Sequence, residues 1–320
     1  MSELSLAAKE IEEAERLALA CHIGPDGDAL GSMLGLGLAA RQHGKEVVAS
    51  FGTPFVVPAN LRFLPTDLLV APGEFPQEPE TMVVFDAGSA DRLGELGANA
   101  EKAKTLVVID HHVTNEGFGD IAVIDGSVAA TGELVFRILE TLGWEMDAPI
   151  ATCLHTALVT DTGRFTYSNT SSETLRIGAA LLDAGADPTE IARHVYEQTP
   201  FGYLKLSAVA LGRAELDDAK GVVSTVVGED DLKDAGIGWG DIDGLIDTIR
   251  LAEEADVAVL AKVHEGGRVK VSLRSRGGTD VGSLAAAMGG GGHRLAAGFT
   301  VEDDPAEVLE AIIESIGDYR

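Results

Sequence analysis

Short apolar stretches alternate with helical patterns over residues 3–197, and this alternation restricts the fold more than any other feature. Continuous apolar runs of this length are typical of strands buried on both faces of a parallel sheet. Their alternation with helices predicts an α/β domain whose ligands bind at the carboxyl ends of the strands. The pattern predicts strands at 17–23, 46–51, 67–70, 81–86, 105–110 and 121–124, and helices at 3–16, 28–43, 129–143, 148–160, 173–185 and 188–197.

A second, smaller α/β unit is predicted in the rest of the chain, and the length of 320 residues favours two domains. Its predicted elements are strands at 221–228, 256–263, 268–274 and 299–301, helices at 240–251 and 305–317, and a Gly-rich loop at 289–292. We expect an N-terminal domain with a mainly parallel sheet flanked by helices over 1–198, a linker helix at 199–216, and a smaller C-terminal α/β domain over 217–320.

The composition is that of an ordinary globular protein, with 45% hydrophobic and 24% charged residues. No apolar run approaches the roughly 18–20 residues that cross a bilayer, and the acidic N-terminal stretch does not resemble a secretory signal. We therefore expect a cytoplasmic protein with no membrane partner. Cys21 and Cys153 lie in apolar stretches and are expected to be small buried side chains in a reducing compartment.

The net charge of −28 argues against long nucleic acids as partners. Proteins that bind such polymers present a basic stripe, and the sequence shows none. A phosphate-bearing ligand remains compatible with this charge if it is short and held locally by metal and a few Arg or His side chains.

The stretch from Leu17 to Ser32, LALACHIGPDGDALGS, places one imidazole and two carboxylates after a predicted strand. His22, Asp26 and Asp28 can converge on a small volume there, and such ligands suit Mn²⁺, Zn²⁺ or Fe²⁺. An equally good interpretation of this stretch alone is a polar turn in which Asp28 caps the next helix and Asp26 is solvated.

Three further motifs lie at element ends and favour a metal centre. Asp86 ends a strand in VVFDAGSADRLG, Asp110, His111 and His112 end the next in VVIDHHVTN, and Asp161 ends a helical run in LVTDTGRF. Each has an ordinary structural explanation by itself, but together with the stretch that contains His22 they supply imidazoles and carboxylates from four element ends. Two divalent ions about 3.5–4 Å apart are best held by a shared carboxylate with further ligands on each side.

Four motifs together resemble the DHH/DHHA1 phosphoesterases: PDGDALGS at 25–32, DHH at 110–112, DTGRF at 161–165 and GGGGHRLAAG at 289–298. Within this family the chain is most similar to stand-alone oligoribonucleases that also dephosphorylate 3′-phosphoadenosine-5′-phosphate (pAp). The resemblance covers essentially the whole chain. It implies a catalytic DHH domain, a substrate-binding DHHA1 domain, and an active-site cleft between them that holds two Mn²⁺, with Mg²⁺ or Co²⁺ as possible substitutes.

The resemblance also implies a role for each matching residue of the first domain. His22 and Asp26 would bind one metal, Asp28, His111 and Asp161 the other, and Asp86 would bridge them. Asp110 would orient a neighbouring imidazole, His112 would face the scissile phosphate as a charge stabiliser or proton donor, and Asn115 would contact a phosphate.

In the second domain, SLRSRGG and the glycine run are predicted to bind substrate. Gly291 and Gly292 let a phosphate or base approach the main chain, whose N–H groups can form an anion nest. A mobile surface loop is the alternative interpretation of such a run. By resemblance, Arg274, Ser275 and His293 would hold the substrate's terminal phosphate or nucleotide.

The predicted activity is metal-dependent hydrolysis of very short RNA to mononucleotides and removal of a phosphate from 3′,5′-bisphosphonucleotides, with short oligoribonucleotides and small phosphonucleotides as partners. A cyclic-dinucleotide phosphodiesterase and a non-catalytic cyclic-dinucleotide sensor are the alternatives. A pyrophosphatase and a single-strand DNA exonuclease fit less well, because the first lacks the GGGH loop and the second has an added nucleic-acid-binding domain. A homodimer is suggested by the resemblance alone.

Two features are not assigned to the site. The glycines of GLGLAA (35–40) lie inside a predicted helix and are attributed to helix packing rather than to dinucleotide binding. His155 lies on the apolar run before Asp161 and is predicted to be a core histidine with its hydrogen bonds satisfied.

Overall fold

The computed structural model describes residues 2–115, 117–242 and 244–320, and the chain divides into two compact units, Met1–Gln198 and Thr199–Arg320. The first unit contains α1 (Glu3–Glu13), β1 (Arg16–Cys21), α2 (Gly27–Gln42), β2 (Glu46–Phe51), β3 (Thr81–Phe85), α3 (Gly97–Ala100), β4 (Thr105–Asp110), β5 (Ile121–Ile124), α4 (Thr131–Leu142), α5 (Ala148–Asp161), α6 (Ser172–Asp183) and α7 (Pro188–Tyr196).

The sheet of the first unit is parallel throughout, with strand order β2-β1-β3-β4-β5. Both of its faces are buried. Leu17 and Leu19 belong to a large core shared with α1, α2, α4 and α5, whereas Ala18 and Ala20 belong to a smaller core on the other face. This burial explains the continuous apolar runs, and the predicted α/β architecture is confirmed.

The strand predicted at 67–70 is wrong. Leu69 forms a single bridge to Ala49, and its N–H donates to Thr66 O in a tight turn. A turn at Thr66 and a 3₁₀ turn that begins at Pro72 bracket the segment, so it only touches the edge of the sheet.

Glycines at every fourth position of α2 allow α5 to pack closely against it. A Cβ at Gly31 would lie 2.4 Å from the main-chain oxygen of Cys153, and one at Gly35 would lie 2.7 Å from Cδ2 of Leu154. The interpretation of GLGLAA as a helix-packing sequence is therefore confirmed. The same close approach places Gly27 against Thr160, so the beginning of α2 lies beside the end of α5.

The second unit contains a six-stranded mixed sheet with order β10-β11-β9-β8-β7-β6, in which β7 and β8 are the parallel pair. Its elements are α8 (Phe201–Gly212), β6 (Glu215–Asp217), β7 (Val222–Gly228), α9 (Glu229–Ala235), α10 (Leu245–Ile249), β8 (Val257–Val263), β9 (Val269–Ser275), α11 (Val281–Ala287), β10 (Gly291–His293), β11 (Ala296–Val301) and α12 (Pro305–Ser315). Helices α8, α9 and α10 pack on one face of this sheet, and α11 and α12 on the other.

Several short elements of the second unit differ from the prediction. The helix predicted at 240–251 is only α10, preceded by a 3₁₀ turn at Trp239–Asp241. Strand β6 and helices α9 and α11 were not predicted, because runs of three to seven residues carry too little periodicity. Part of the glycine run forms β10, which pairs with β11. Helix α8 lies within the second unit, where Leu206 and Ala210 are buried.

Within the described ranges, none of the helices has the length and apolar character that crossing a membrane requires.

Candidate metal centre

Neighbouring strand ends bring the first site residues together. The parallel register pairs Cys21 with Phe85 and Phe85 with Ile109. The residues that follow, His22 and Asp86, therefore leave the sheet beside Asp110, and all three are at most 5% exposed. Asp86 adopts a left-handed backbone conformation with φ of 53°, a strained state for a non-glycine residue that turns its carboxylate into the site.

The carboxylate of Asp86 lies between two groups of possible metal ligands. On one side, His22 Nε2 is 3.5 Å from Asp86 Oδ2 and 3.8 Å from Asp26 Oδ1. On the other side, His111 Nε2 is 3.6 Å from Asp86 Oδ1.

The second group is completed by His111 with Asp28 and Asp161. His111 Nε2 lies 3.7 Å from Asp28 Oδ2 and 3.3 Å from Asp161 Oδ2. The possible ligand atoms in each group lie within 4.8 Å of one another, which is the spacing of atoms that can share one ion. The structure thus brings all six predicted ligands together, with one Asp86 oxygen facing each group.

Local hydrogen bonds orient the first ligands. His22 Nδ1 lies 3.0 Å from Ile23 O, and because a carbonyl only accepts, Nδ1 carries a proton and the ring is oriented with Nε2 toward the carboxylates of Asp26 and Asp86. Asp26 Oδ1 accepts from the N–H groups of Asp28 and Ala29, so Asp26, and not Asp28, caps α2.

Asp28 is held by the beginning of α4, which sequence reasoning did not identify. Its carboxylate accepts from the N–H groups of Thr131 at 2.7 Å and Gly132 at 2.9 Å, and from Ser32 Oγ at 3.0 Å. Thr131 Oγ1 also donates to Asp86 Oδ1 at 3.2 Å. A helix predicted to start at 129 after a strand was the available signal, since helix N-termini bind anions.

The site carries an excess of negative charge. Burial, together with Asp86, Asp161 and Asp26, raises the pKa of Asp28 well above its usual range, and burial with Asp26 and Asp86 raises that of Asp161 to about 7. Burial alone would lower the pKa of His22, but Asp26 and Asp86 outweigh it and raise that pKa to about 10.

Divalent cations fit this donor set. Four carboxylates form the site: Asp26, Asp28, Asp86 and Asp161. Among the described residues, the ion pairs of these four are all with histidines, so no Lys or Arg side chain of that part of the chain balances their negative charge. Oxygen ligands with two imidazoles suit first-row divalent metals.

His112 is held at the edge of the group by a buried carboxylate. Its Nδ1 donates to Asp110 Oδ1 at 2.8 Å, and it is 3.5 Å from Asp86 Oδ1. The bond to Asp110 raises the pKa of His112 despite partial burial. Asp110 Oδ2 accepts from Asn115 Nδ2 at 2.7 Å, and the same amide donates to Ala87 O. The Asn115 amide therefore braces Asp110, and the phosphate contact that the resemblance implies for Asn115 stays a prediction.

A network of polar side chains, exposed at Asn169 and buried at Glu133, supports Asp161 and the beginning of α4. Asn169 Nδ2 donates to Asp161 O and Ala129 O, both at 3.1 Å. Glu133, only 1% exposed, accepts from Ala129 N and from Thr174 Oγ1. These bonds tie the end of α5 to the start of α4.

His155 is buried as predicted, but the prediction that its hydrogen bonds are satisfied is wrong. Its Nδ1 is buried without a partner in the described structure, and the ring meets Phe165 edge-on with centroids 6.0 Å apart. Burial lowers its pKa to about 4, so it is neutral near pH 7.

The predicted substrate residues of the second unit separate onto two faces of its sheet. Arg274 and His293 lie on one face, since both pair with Ala296. Ser275 points to the opposite face, is 1% exposed, and accepts from the N–H groups of Gly277 and Thr279.

The two predicted glycines of the second unit differ in their surroundings. Gly292 has a φ of 145° and no room for a Cβ beside Ala297, whereas the Cβ position of Gly291 is open. Gly292 is therefore needed for the hairpin of β10 and β11, whereas Gly291 leaves the main chain accessible.

Comparisons with known proteins cover both units. Residues 16–158 match the family model described as "DHH family, N-terminal domain", and residues 218–319 match the "DHHA1 domain". A protein of Thermus thermophilus named bifunctional oligoribonuclease and PAP phosphatase NrnA is 35% identical over 98% of this chain and 93% of its own length. The Bacillus subtilis protein of the same name is 26% identical over 92% of each chain. The crystal structure of an exopolyphosphatase-related protein from Bacteroides fragilis superimposes with a TM-score of 0.93 at 25% identity, covering 99% of this chain and 96% of that one.

Proposed function

Because the chain belongs to the DHH family of phosphoesterases, we propose that it degrades very short oligoribonucleotides to mononucleotides and removes a phosphate from 3′,5′-bisphosphonucleotides such as pAp. The observation that carries this proposal is the position of Asp86, whose two carboxylate oxygens each face one group of possible metal ligands. The names of the Thermus and Bacillus relatives support the choice of substrates.

The proposed cofactors are two Mn²⁺ ions, with Mg²⁺ or Co²⁺ as substitutes. His22, Asp26 and Asp86 would hold one ion, and Asp28, His111 and Asp161 would hold the other, with Asp86 shared. Bound divalent cations supply Lewis acidity toward a phosphoryl oxygen and favour deprotonation of an attacking water. A mixture of carboxylates and two imidazoles supports Mn²⁺ in this role.

The chain's own residues supply orientation and charge. Asp110 fixes the ring of His112 through Nδ1 and favours its protonated form, so Nε2 can donate to a phosphoryl oxygen that gains negative charge during in-line attack by water. Asn115 keeps Asp110 in place. No serine or cysteine nucleophile and no covalent intermediate are required in this mechanism.

Substrate recognition is assigned to the second unit. Arg274 and His293 share one face of its sheet beside Ala296, and the open Gly291 lets a nucleotide approach the main chain. These contacts would hold a terminal phosphate or nucleotide. The hydroxyl of Ser275 already accepts two main-chain N–H groups, which supports a role in shaping the turn after Arg274.

The proposal is tested by timed product analysis with Mn²⁺ on pApA, short and long RNA, pAp, cyclic di-AMP and pyrophosphate at equal concentration. Rapid loss of short RNA and pAp, with long RNA spared, is the expected result. Turnover of pyrophosphate alone would contradict it, rapid cleavage of cyclic di-AMP would establish the cyclic-dinucleotide alternative, and binding of a dinucleotide without any turnover would show that the protein is a sensor.

The metal assignment is tested with Asp86→Ala, for which we expect loss of Mn²⁺ binding in calorimetry and at least a 100-fold fall in kcat, since removing one preorganised electrostatic group costs about 10²–10³. Asp183→Ala, an exposed aspartate at the end of α6, is the matched control. If Asp86→Ala binds manganese and turns over substrate as the wild type does, the shared-ligand assignment is wrong.

A further inference from the structure

The segment after Asp161 has a strained backbone that the proposed function leaves unexplained. Gly163, Arg164 and Phe165 follow one another in the left-handed region, with φ of 52°, 63° and 61°. Two of them are not glycines, and such residues keep this conformation only where the surrounding structure enforces it, most often at binding and active sites. Of the motif DTGRF at 161–165, the proposed function uses Asp161 alone.

Hydrogen bonds to buried groups hold this left-handed turn in place. The N–H of Arg164 donates to Val159 O at 2.8 Å, and the N–H of Phe165 donates to Thr162 Oγ1 at 3.0 Å. Thr162 is fully buried, and its main-chain oxygen also accepts from the N–H of Tyr167. The turn is therefore a fixed part of the first unit, and its side chains have defined positions.

The turn directs one side chain into the core and two to the surface. Phe165 packs against Gly178 of α6 and meets the ring of His155 edge-on, so it anchors the turn. Arg164 and Tyr167 are exposed. Anchoring by Phe165 requires neither of these two side chains. A cation and an aromatic ring therefore reach the surface just after a proposed metal ligand without an evident role in packing the core.

The ring of Tyr167 lies beside Asp161. The side chain of Asn169 donates to Asp161 O at 3.1 Å and so closes 161–169 into a loop. Within this loop the Tyr167 ring covers Gly163, where a Cβ would lie 2.2 Å from Tyr167 Cζ. Gly163 is two peptide steps of about 3.8 Å from Asp161. The ring is therefore a near neighbour of a proposed metal ligand, and 49% of Tyr167 remains exposed to a ligand.

The guanidinium of Arg164 is held by a ring and not by a carboxylate. Its Cζ lies 4.5 Å from the centroid of the Tyr196 ring, and Tyr196 Oη donates to Val159 O at 2.9 Å. Within the described ranges Arg164 forms no ion pair, so its N–H groups are available to an anionic ligand. Burial, Tyr167 and Asp161 raise the pKa of Tyr196 to about 12 against the opposing effect of Arg164, so all three side chains act on the same hydroxyl.

We propose that Tyr167 and Arg164 form a nucleotide subsite beside Asp161, in which the Tyr167 ring stacks on the base and Arg164 binds a phosphate of the same ligand. Aromatic rings combined with cations are what proteins use to bind single-stranded nucleotides without sequence preference. Because Tyr167 adjoins a proposed metal ligand, the stacked base belongs to a nucleotide that carries the scissile phosphate. This inference rests on the proposed function and adds a reason why that site prefers nucleotides to phosphates that lack a base.

The test removes the ring and the base independently. It compares wild type, Tyr167→Leu, Tyr167→Phe, Arg164→Gln and a matched control, Phe201→Leu, which removes an exposed ring of α8. Steady-state kinetics with Mn²⁺ are measured on pAp and on its abasic analogue, in which a hydrogen atom replaces adenine. Binding of 2-aminopurine riboside 5′-monophosphate, which the proposed reaction does not consume, is followed by its fluorescence, because stacking on an aromatic ring quenches this base.

For Tyr167→Leu we expect kcat/KM for pAp to fall about 10-fold, mainly through KM, because stacking of one base on an aromatic side chain contributes at this scale. The value for the abasic analogue should match wild type, and the quenching of 2-aminopurine should be lost. Tyr167→Phe should retain both properties. Arg164→Gln should weaken binding of the monophosphate about 5-fold, as expected for one exposed charge contact, while the bound base stays quenched. Phe201→Leu should match wild type throughout.

An equal fall of kcat/KM for pAp and for the abasic analogue in Tyr167→Leu would show a structural role and overturn the inference. Retained quenching in that variant, or an equal change in Phe201→Leu, would overturn it as well, and an unchanged affinity of Arg164→Gln would remove Arg164 from the subsite. If the wild type hydrolyses neither compound, the proposed function fails, while the fluorescence measurement still decides whether Tyr167 stacks on a base. If the wild type does not quench 2-aminopurine, the subsite does not exist.

Discussion

Replacement of Gly31 by alanine tests whether the close packing of α2 on α5 positions the metal centre. The added Cβ would lie 2.4 Å from the main-chain oxygen of Cys153 and 3.2 Å from Cβ of Ala157. No rotamer change can relieve a clash with main-chain oxygen. Ordinary contact requires about 3.5 Å, so the two helices must separate locally by about 1 Å.

The expected cost follows from two opposing effects. Overpacking a buried contact costs about 1–3 kcal/mol, whereas replacing glycine by alanine inside a helix stabilises by up to about 1 kcal/mol. We expect a net loss of about 1–2 kcal/mol in the free energy of unfolding. Because Asp28 lies on α2 and Asp161 ends α5, a displacement of this size should also lower kcat by about 10²-fold.

The assay is urea unfolding followed by Trp144 fluorescence in a Trp239→Phe background, which leaves one tryptophan in the sequence. Trp144 stacks on His43 at the end of α2, with ring centroids 4.3 Å apart, and so reports on the first unit. Activity and Mn²⁺ affinity are measured on the same proteins. Gly212→Ala, at the end of α8, is the matched control because its Cβ position is open.

If Gly31→Ala is as stable and as active as Gly212→Ala, the close approach of α2 and α5 does not position the carboxylates, and the reasoning is refuted. A loss of stability with normal Mn²⁺ affinity and kcat would separate packing from the site and contradict the second half of the prediction.

Two further predictions concern side chains near the centre. If the Asn115 amide chiefly holds Asp110, Asn115→Ala should lower kcat about 5-fold with little change in KM, because a lost hydrogen bond costs about 1 kcal/mol. A rise in KM alone would instead indicate that Asn115 contacts a phosphate. The free energy of unfolding should fall as the pH drops from about 6.5 to about 4, because the unfolded chain binds a proton at His155 that the folded chain excludes. His155 should contribute at most about 3 kcal/mol to this fall. In His155→Phe this decline of the free energy of unfolding should be shallower. His194 is a half-buried histidine stacked on Phe63, and in the control variant His194→Phe the decline should match wild type. Identical pH profiles for both variants would show that His155 is not the cause.

The sequence was sufficient for the architecture of the first unit because each of its long elements carries its own signal. Strands β1, β3 and β4 are continuous apolar runs, and acidic or histidine residues follow them where ligands bind to parallel sheets. The glycines of GLGLAA were correctly attributed to packing, although their partners, α5 for Gly35 and the side chains of Leu19 and Leu68 for Gly37, could not be named. Short elements such as β6 and α11 lacked this signal, and their formation depends on the sheet they join.

The resemblance predicted which residues form the candidate centre, and the structure brings those of the first unit together, while their roles as ligands stay a prediction. The local sequence was misleading where two structures compete for one side chain. Asp28 was a good candidate for capping α2, but Asp26 caps it, since the carboxylate of Asp28 is used by the N-terminus of α4. His155 was expected to find a partner in the core, and its Nδ1 has none in the described structure.

The sequence by itself determined the order of the long strands and helices of the first unit, the chemistry at their ends and the absence of a long basic stripe. Only the tertiary structure decided that each oxygen of Asp86 faces a different histidine, that Thr131 holds a carboxylate 103 positions earlier in the chain, and that Arg274 and His293 share one face of the second sheet. The physical reason is that strand register and helix contact set these distances. Both depend on residues far apart in the chain, so no local pattern contains them.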